Sequence, residues 1–374
     1  MSLEHLIDRL ATFEPTGFPV ISLYLNTQAD DRGRDHFQPF VRKEFNSRAK
    51  TFAARSSEKE SFDRDVERIS NYLENELRPS ANGVVIFACS GANDFFEALQ
   101  LDAPVERNRL FISEQPQMYP LARLMDQYPR YAALIANNNS ARLFVFGLGK
   151  PLKEQTITGV NVNHTKVGGW SQARYQRHVE NYHEQHAKEV IEELTKLVSE
   201  EQIEHIVLAG DEVIVPSLRE QMSQQLQEKV VDVLRMDISA PETEILKATL
   251  EAMREQDAKS DLEKVERMKN QYRAGGLATT GARETLAALE IGQVDELIIS
   301  ATRADVRYED EEVSKPLAAI AAASEAMNKG SHTLELADEL VAKAKQTGAR
   351  VTFIEDSSLL NEVGGVGAIL RFRL

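Results

Sequence analysis

Short runs of β-branched and aromatic residues alternate with longer helical patterns along nearly the whole chain, and this alternation restricts the fold more than any other feature of the sequence. The stretches GVVIFAC at 83–89 and HIVLAG at 205–210 have the composition of buried strands. Ahead of the first of them, five apolar residues recur at helical spacing: Phe62, Val66, Ile69, Leu73 and Leu77. Such alternation is typical of sheets covered by helices, so the sequence predicts an α/β fold.

The pattern falls into three blocks, and a length of 374 residues suits roughly two or three domains in tandem. Residues 1–127 are expected to form an α/β sandwich. Residues 128–272 begin with three strand patterns before helices and strands alternate, which predicts a mixed sheet with a glycine loop and a long helix. Residues 276–374 are expected to form an α-β-α sandwich. Residues 257–275 are charged and lack a strong apolar stripe, so we interpret them as a linker and a helix end.

Local patterns in three further stretches predict single elements. The pattern EQTITGVNVN predicts a strand at 154–163, and the stretches 216–228 and 315–328 have helical patterns. Thr279 or Thr280 is expected to cap the helix that follows, because a hydroxyl there can accept a free backbone N–H.

The charge balance and composition exclude several classes of partner. With 44 basic and 59 acidic residues the net charge is −15, which argues against non-specific binding to DNA, because phosphate contacts need lysine and arginine. No segment approaches the roughly 20 apolar residues of a membrane helix, and residues 1–10 lack the features of a signal peptide. Cys89 is the only cysteine, so no intramolecular disulfide is expected. We therefore expect a cytoplasmic protein that does not bind membranes.

No motif in the sequence indicates a cofactor. The chain has no Walker lysine, no nucleophile elbow and no zinc CxxC pattern. The glycines of VGGVGAIL, residues 363–370, lead into the last strand pattern instead of opening a helix, so they do not form a dinucleotide-binding loop. We expect neither a cofactor nor an NTPase activity in this chain.

The segment 164–190 stands out from this acidic background. Gly168 and Gly169 precede a helical pattern from 171 to 199 whose first turns have almost no aliphatic residues. A helix that is polar all round projects from its domain or binds a ligand. Helical spacing places four side chains on one face: Arg174, His178, Tyr182 and His186. Arginine beside aromatic rings suits RNA, since guanidinium groups pair with phosphates and rings stack on unpaired bases.

Simpler interpretations of the same residues stay open at this point. A Gly-Gly pair ahead of a helix is often only a turn, and a polar helix face is usually solvated. His183 and His186 have a usable spacing for metal ligands, but no cysteine or converging carboxylates complete the set, so we expect no metal. Trp170 is the only tryptophan, and we expect it to be exposed in the glycine loop.

Several segments of the chain resemble one known family. GGWSQARYQRH, residues 168–178, is similar to the GGQ loop and the arginine-rich helix of archaeal and eukaryotic peptide-chain release factors. Residues 284–299 and 363–374 resemble the opening and the end of that family's L30e-like C-terminal domain, and 21–26 and 82–89 resemble its N-terminal domain. The superfamily includes bacterial release-factor-like proteins, Pelota-type rescue factors and Balon-type hibernation factors. The resemblance implies a factor that enters the ribosomal A site and reaches the peptidyl-transferase centre with its loop.

The resemblance also implies which residues meet RNA at that centre. They belong to the loop and the helix start: Lys166, Gly168, Gly169, Trp170, Ser171, Arg174, Arg177 and His178. Trp170 stands where the family has the glutamine that positions water at the peptidyl-tRNA ester, and Gln172 is the candidate catalytic residue in its place. The first block has no NIKS sequence, which helps release factors to read stop codons, so we expect codon-independent binding.

Two hypotheses from different functional classes follow. In the first, the protein acts on stalled or idle ribosomes and hydrolyses the peptidyl-tRNA ester, with Gln172 orienting water and the N–H groups of the glycine pair stabilising the oxyanion. In the second, it is a hibernation factor whose loop occupies the centre without chemistry. Cleavage of tRNA by His164, Arg174 or His178 is a third possibility. The expected partners are the ribosome, with its rRNA and peptidyl-tRNA, and a translational GTPase such as elongation factor Tu.

Overall fold

The structure is a computed structural model that describes four stretches of the chain: 3–29, 36–158, 170–306 and 331–373. The strands in these stretches form three sheets, one in each block of the sequence, and helices pack on all three. The predicted series of three α/β sheets in tandem is confirmed. The chain divides into two compact units: residues 1–126 together with 260–374, and residues 127–259.

The helices and strands of the described residues follow one another along both units. The helices are α1 (Leu3–Ala11), α2 (Phe37–Ala49), α3 (Ser57–Asn75), α4 (Tyr119–Gln127), α5 (Trp170–Glu200), α6 (Ile214–Gln221), α7 (Gln224–Glu228), α8 (Glu242–Arg273), α9 (Ala282–Glu290) and α10 (Ser331–Gln346). The strands are β1 (Val20–Asn26), β2 (Gly83–Cys89), β3 (Phe95–Leu101), β4 (Arg109–Ser113), β5 (Tyr131–Ala136), β6 (Ser140–Gly147), β7 (Lys150–Thr158), β8 (Ile206–Gly210), β9 (Val230–Arg235), β10 (Ala278–Thr280), β11 (Val294–Ser300), β12 (Arg350–Ile354) and β13 (Val366–Leu370).

The amino-terminal segment of the first unit contains an antiparallel sheet with the order β3-β2-β1-β4. The residues of β1 and β2 are almost all buried, as their apolar sequences predict. Helices α2 and α3 pack on one face through Phe45, Phe62 and Ile69, and the helical spacing that begins at Phe62 belongs to α3. Ser56 caps α3, because its hydroxyl accepts a backbone N–H of the first turn.

The carboxyl-terminal segment of the first unit is an α-β-α sandwich, as predicted. Its sheet has the order β10-β13-β11-β12, in which only the β11–β12 pair is parallel. Val265 and Met268 of α8 lie in a core with Ile298 of β11. Leu297 and Ile299, which alternate with Ile298, are also fully buried, and α9 and α10 contact the same sheet. Both faces of the sheet are therefore covered by helices.

The second unit holds the five-stranded mixed sheet predicted for the central block, in the order β7-β6-β5-β8-β9. Strands β5, β6 and β7 are antiparallel neighbours, whereas β5, β8 and β9 run parallel. Helices α5 and α6 cover one face through Leu194 and Leu218, and α8 contributes Ile245 and Met253 to the core on the other. The sequence YAALIA of β5 is apolar throughout because both of its faces are buried.

Two predictions in the second unit are corrected in their detail. The strand predicted at 154–163 begins earlier, at Lys150, where β7 pairs with the end of β6. The helix predicted at 216–228 is two helices, α6 and α7. Met222 leaves the helical conformation between them, and the Ser223 hydroxyl then caps α7.

Three further differences concern the carboxyl-terminal half of the chain. Thr279 and Thr280 do not cap α9 but lie in β10, and Gly281 precedes the helix with φ of 83°, a conformation that glycine adopts without strain. Residues 257–273, expected as a linker and a helix end, belong to the continuous helix α8. Val265 and Met268 in that stretch are buried, and this burial stabilises the helix there. The helix predicted at 315–328 lies outside the described residues.

Candidate functional site

Helix α5 continues for 31 residues, from Trp170 to Glu200, which corresponds to about 46 Å at about 1.5 Å per residue. This confirms the long helix predicted at 171–199. A stripe of apolar residues binds its second half to the sheet of the second unit: Ala187, Val190, Ile191, Leu194, Leu197 and Val198. Because these residues recur every three or four positions, one side of that half is buried while charged residues occupy the other.

His186 extends the buried stripe by one position that the sequence analysis missed. We expected His186 on the exposed polar face of the helix, but only 2% of its surface is exposed. The prediction is wrong because the backbone of Asn137 and Ser140, in the turn between β5 and β6, lies beside the ring. The signal was present in the sequence, since His186 precedes Val190 by four residues and so falls on the same helix face.

The surroundings of His186 favour a neutral ring against a fixed turn. Burial lowers the pKa of His186, because loss of solvent disfavours the charged imidazolium. The backbone of Ser140 and Asn137 beside the ring favours the charged form, but burial has the larger effect on the pKa of His186. The turn itself is held by Asn137, whose Oδ1 accepts the backbone N–H groups of Asn139 and Ser140 at 2.9 and 2.8 Å. An ordered turn thus packs on α5 at the point where its buried half begins.

The predicted site residues lie at the start of α5 or before it. Lys166, Gly168 and Gly169 fall outside the described residues. The other six belong to the first nine residues of the helix: Trp170, Ser171, Gln172, Arg174, Arg177 and His178. Trp170 opens the helix instead of lying in the preceding loop, and Gln172 belongs to the first turn. Along the axis, Trp170 is about 24 Å from His186 at about 1.5 Å per residue.

The start of a helix has its own electrostatic character. The first backbone N–H groups of α5 have no acceptor within the helix, and the helix dipole is positive at this end. Both effects favour anionic groups such as phosphates or a developing oxyanion.

In the stretches that the structure describes, no group of three or more His, Cys, Asp or Glu side chains is placed to hold a metal ion. None of the described helices is long and apolar enough to cross a membrane.

Two family models match consecutive parts of the chain. Bacterial archaeo-eukaryotic release factor family 10 matches residues 116–254, which include all of α5, and eRF1 domain 3 matches residues 258–374. Peptide chain release factor subunit 1 of Pyrococcus abyssi is 23% identical over 412 aligned residues, which cover 100% of this chain and 98% of that protein. Residues 116–254 and 258–374 thus match models of archaeo-eukaryotic release factors. The predicted resemblance is confirmed, and the segment 168–178 lies within the part of this release factor-like chain that the first model matches.

Solved structures of the superfamily match this release factor-like chain over most of its length. The archaeal translation termination factor aRF1 is 18% identical and aligns over 99% of this chain and 98% of its own, with a TM-score of 0.28. Dom34 of S. cerevisiae, a translation termination-like factor that interacts with Hbs1, is 11% identical over 78% of this chain and 87% of its own, with a TM-score of 0.40.

Proposed function

We propose that this release factor-like protein binds the ribosomal A site of stalled or idle ribosomes and hydrolyses peptidyl-tRNA there without reading the codon. The observation that carries the proposal is the GGW sequence, 168–170, whose tryptophan is the first residue of α5 and which lies within the region matched by a release factor family. A relative named as a peptide chain release factor, aligned over the full length of this chain, supports the ribosome as the target. The lack of a NIKS sequence in the first block supports independence from the codon.

Hydrolysis of the ester needs a group that orients water and donors that stabilise the oxyanion as it forms. The indole of Trp170 donates one N–H and accepts no hydrogen bond, so it cannot orient water as the family's glutamine would. Gln172 can both donate and accept, and it lies in the first turn of α5 near backbone N–H groups that have no acceptor within the helix. We assign the orientation of water to Gln172 and the stabilisation of the oxyanion to backbone N–H groups at the helix start and the glycine pair.

The remaining residues of the segment bind and position RNA in this proposal. Lys166, Arg174, Arg177 and His178 supply donors for phosphate oxygens, and the arginines can form two parallel hydrogen bonds with one phosphate. The ring of Trp170 stacks on an unpaired base. These contacts are local, which is compatible with a net charge of −15 over the whole chain.

A second candidate function is supported by the tryptophan itself. A large ring in place of the water-positioning glutamine suits a loop that fills the peptidyl-transferase centre and carries out no chemistry, as in a hibernation factor. We favour hydrolysis because Gln172 keeps a suitable side chain two residues away. In either function, a separate translational GTPase such as elongation factor Tu is proposed as the delivery partner.

One experiment separates these functions. Purified protein is incubated with ribosomes that carry peptidyl-tRNA, and free peptide, intact tRNA and trimmed tRNA are then separated on gels. Hydrolysis predicts free peptide with intact tRNA. Ribosome binding without either product supports the hibernation function, and trimmed tRNA shows that the tRNA is cleaved.

The same assay tests the independence from the codon. Ribosomes with a stop codon, a sense codon or no codon in the A site should give equal rates of release. A strong preference for a stop codon would show that residues of the first block read the codon.

A further inference from the structure

A buried arginine joins the two segments of the first unit. Arg303 lies in a short 3-10 turn after β11, and only 5% of its surface is exposed. Its guanidinium group lies over the rings of Phe111 and Tyr119, at 4.9 and 5.1 Å from their centroids. Its Nη2 also donates to Oε1 of Gln117 at 2.8 Å. All three contacts are made with the amino-terminal segment, although Arg303 belongs to the carboxyl-terminal one.

Asp338 of α10 binds both segments at the same place. Its carboxylate forms an ion pair with Arg303 and accepts the backbone N–H of Tyr119 at 2.7 Å. Only 5% of the Asp338 surface is exposed. The Tyr119 hydroxyl donates in turn to the backbone carbonyl of Ser300, at the end of β11. One tyrosine is thus fixed by its backbone, its ring and its hydroxyl to the other segment.

Contacts on either side of this cluster extend the interface. The Arg123 guanidinium, on α4, contacts Glu106 of the amino-terminal segment at 3.1 Å and Glu355 of the carboxyl-terminal segment at 3.2 Å. Gln346 of α10 donates to the backbone carbonyl of Ala11 at the end of α1. The interface therefore includes α1, α4 and α10.

A gain in stability alone does not explain why this charged cluster is buried. A buried ion pair is often no more stabilising than apolar residues of the same volume, but loss of either partner leaves an uncompensated buried charge. Burial lowers the pKa of Arg303 to about 10, so the group stays charged at neutral pH and needs its partners. Any sliding of one segment over the other would break these contacts. The pair therefore selects one arrangement of the two segments.

We propose that residues 1–126 and 260–374 act as one rigid body while the protein works, with Arg303 as the residue that fixes their arrangement. The amino-terminal block then does not move independently of the eRF1 domain 3-like segment when the protein binds its target. That this arrangement is kept on the ribosome rests on the proposed function. That it is kept in the free protein does not.

The test uses the full chain with one spin label in each segment. Cys89 is the only cysteine and is buried, so labels can be placed selectively at the exposed positions of α3 and α9 with Glu60→Cys and Glu290→Cys. Double electron–electron resonance should give one narrow distance distribution in the free protein and the same distribution with ribosomes bound. A second distance in the free protein overturns the proposal. If the protein does not bind ribosomes, the proposed function fails and the free-protein result still decides the arrangement.

Variants of the cluster test the role of Arg303. Arg303→Met should broaden the distribution, with most of the molecules leaving the wild-type distance, while circular dichroism keeps the wild-type helix content. Asp338→Asn, which removes the charge with little change of volume, should have the same effect and serves if Arg303→Met does not fold. Arg350→Met is the matched control, because it removes an exposed ion pair with Asp295 in the same segment and should change nothing. Wild-type distributions in both cluster variants, or loss of helix content in both, overturn the assignment.

Discussion

The two ends of α5 belong to one helix, yet their sequences serve different purposes. From Ala187 onwards, a buried apolar residue recurs every three or four positions and attaches the helix to its sheet. From Trp170 to His178, the sequence has arginine, glutamine and aromatic residues and a single alanine as its aliphatic side chain. The packed end fixes where the helix lies, and in the proposed function the first end supplies the chemistry. Substitutions at the packed end should therefore change stability, and substitutions at the first end should change activity alone.

The largest effect is expected from Leu194→Ala at the packed end. Leu194 is fully buried between α5 and the sheet, so its truncation leaves a cavity and should lower the free energy of unfolding by about 2–5 kcal/mol. Denaturant unfolding followed by circular dichroism measures the loss. Lys196→Ala, an exposed position on the same helix, should change it by less than about 0.5 kcal/mol. Equal effects of the two variants would contradict a packed end.

Gln172→Ala, at the other end, should leave stability unchanged and lower the rate of peptide release by about 10²–10³, because a group that acts in the transition state is lost. Single-turnover release on peptidyl-tRNA ribosomes measures the rate, and co-sedimentation should show unchanged binding. Gln185→Ala, an exposed glutamine of the same helix, is the control. Release at the wild-type rate by Gln172→Ala would refute the assignment of this residue.

Trp170→Ala should instead weaken ribosome binding in the same co-sedimentation measurement, because its ring stacks on RNA in the proposed function.

A smaller effect is expected when the charges of the first end are reversed. Arg174→Glu with Arg177→Glu should weaken ribosome binding and reduce the slope of log K against log salt by about 1.4, since each lost phosphate contact contributes about 0.7. Co-sedimentation at several salt concentrations measures this slope. Lys196→Glu with Arg219→Glu makes the same change of net charge at exposed positions elsewhere in the second unit. Equal weakening by both pairs would mean that overall charge, and not the helix start, governs binding.

The smallest effect concerns His186, at the border between the two ends. Its pKa is lowered in the folded state, so the unfolded chain binds the proton more readily and stability falls as the pH drops below the ordinary value of about 6.5. The loss from one such group is at most about 1.4 kcal/mol per pH unit. The free energy of unfolding of wild type and His186→Leu should be compared between neutral and mildly acidic pH. The free energy of unfolding of the wild type, relative to that of His186→Leu, should fall as the pH falls. A constant difference would show that His186 does not titrate in this range.

Most of the architecture was predictable because burial leaves a periodic pattern in the sequence. The strand β2 and the apolar stripe of α5 are apolar at the spacings that their faces require, and both lie where the sequence predicts them. The misplaced Thr279 and Thr280 show the limit of local reasoning. A threonine can cap a helix or end a short strand, and pairing of β10 with β13, some 90 residues further on, decides between the two.

The part of the candidate site that was predictable is the part that depends on local sequence. The order Gly168-Gly169-Trp170 before a long helix is a local feature, and helical spacing gave the arrangement of the arginines along α5. Helical spacing places His186 on the buried face of Val190, but the β5–β6 turn that covers its ring lies more than 40 residues earlier in the chain and is not part of that local pattern. The same holds for Arg303, whose partners Phe111 and Tyr119 lie in another block of the sequence.

The most direct test of the central claim asks whether the start of α5 occupies the peptidyl-transferase centre. Puromycin reacts with peptidyl-tRNA only when the A-site side of that centre is free, so its reaction reports occupancy. Saturating Gln172→Ala protein, used because it keeps the peptidyl-tRNA intact, should block the puromycin reaction. The same protein with Arg174→Glu and Arg177→Glu added should block it much less. A protein that pellets with ribosomes but leaves the puromycin reaction at its full rate would contradict the account.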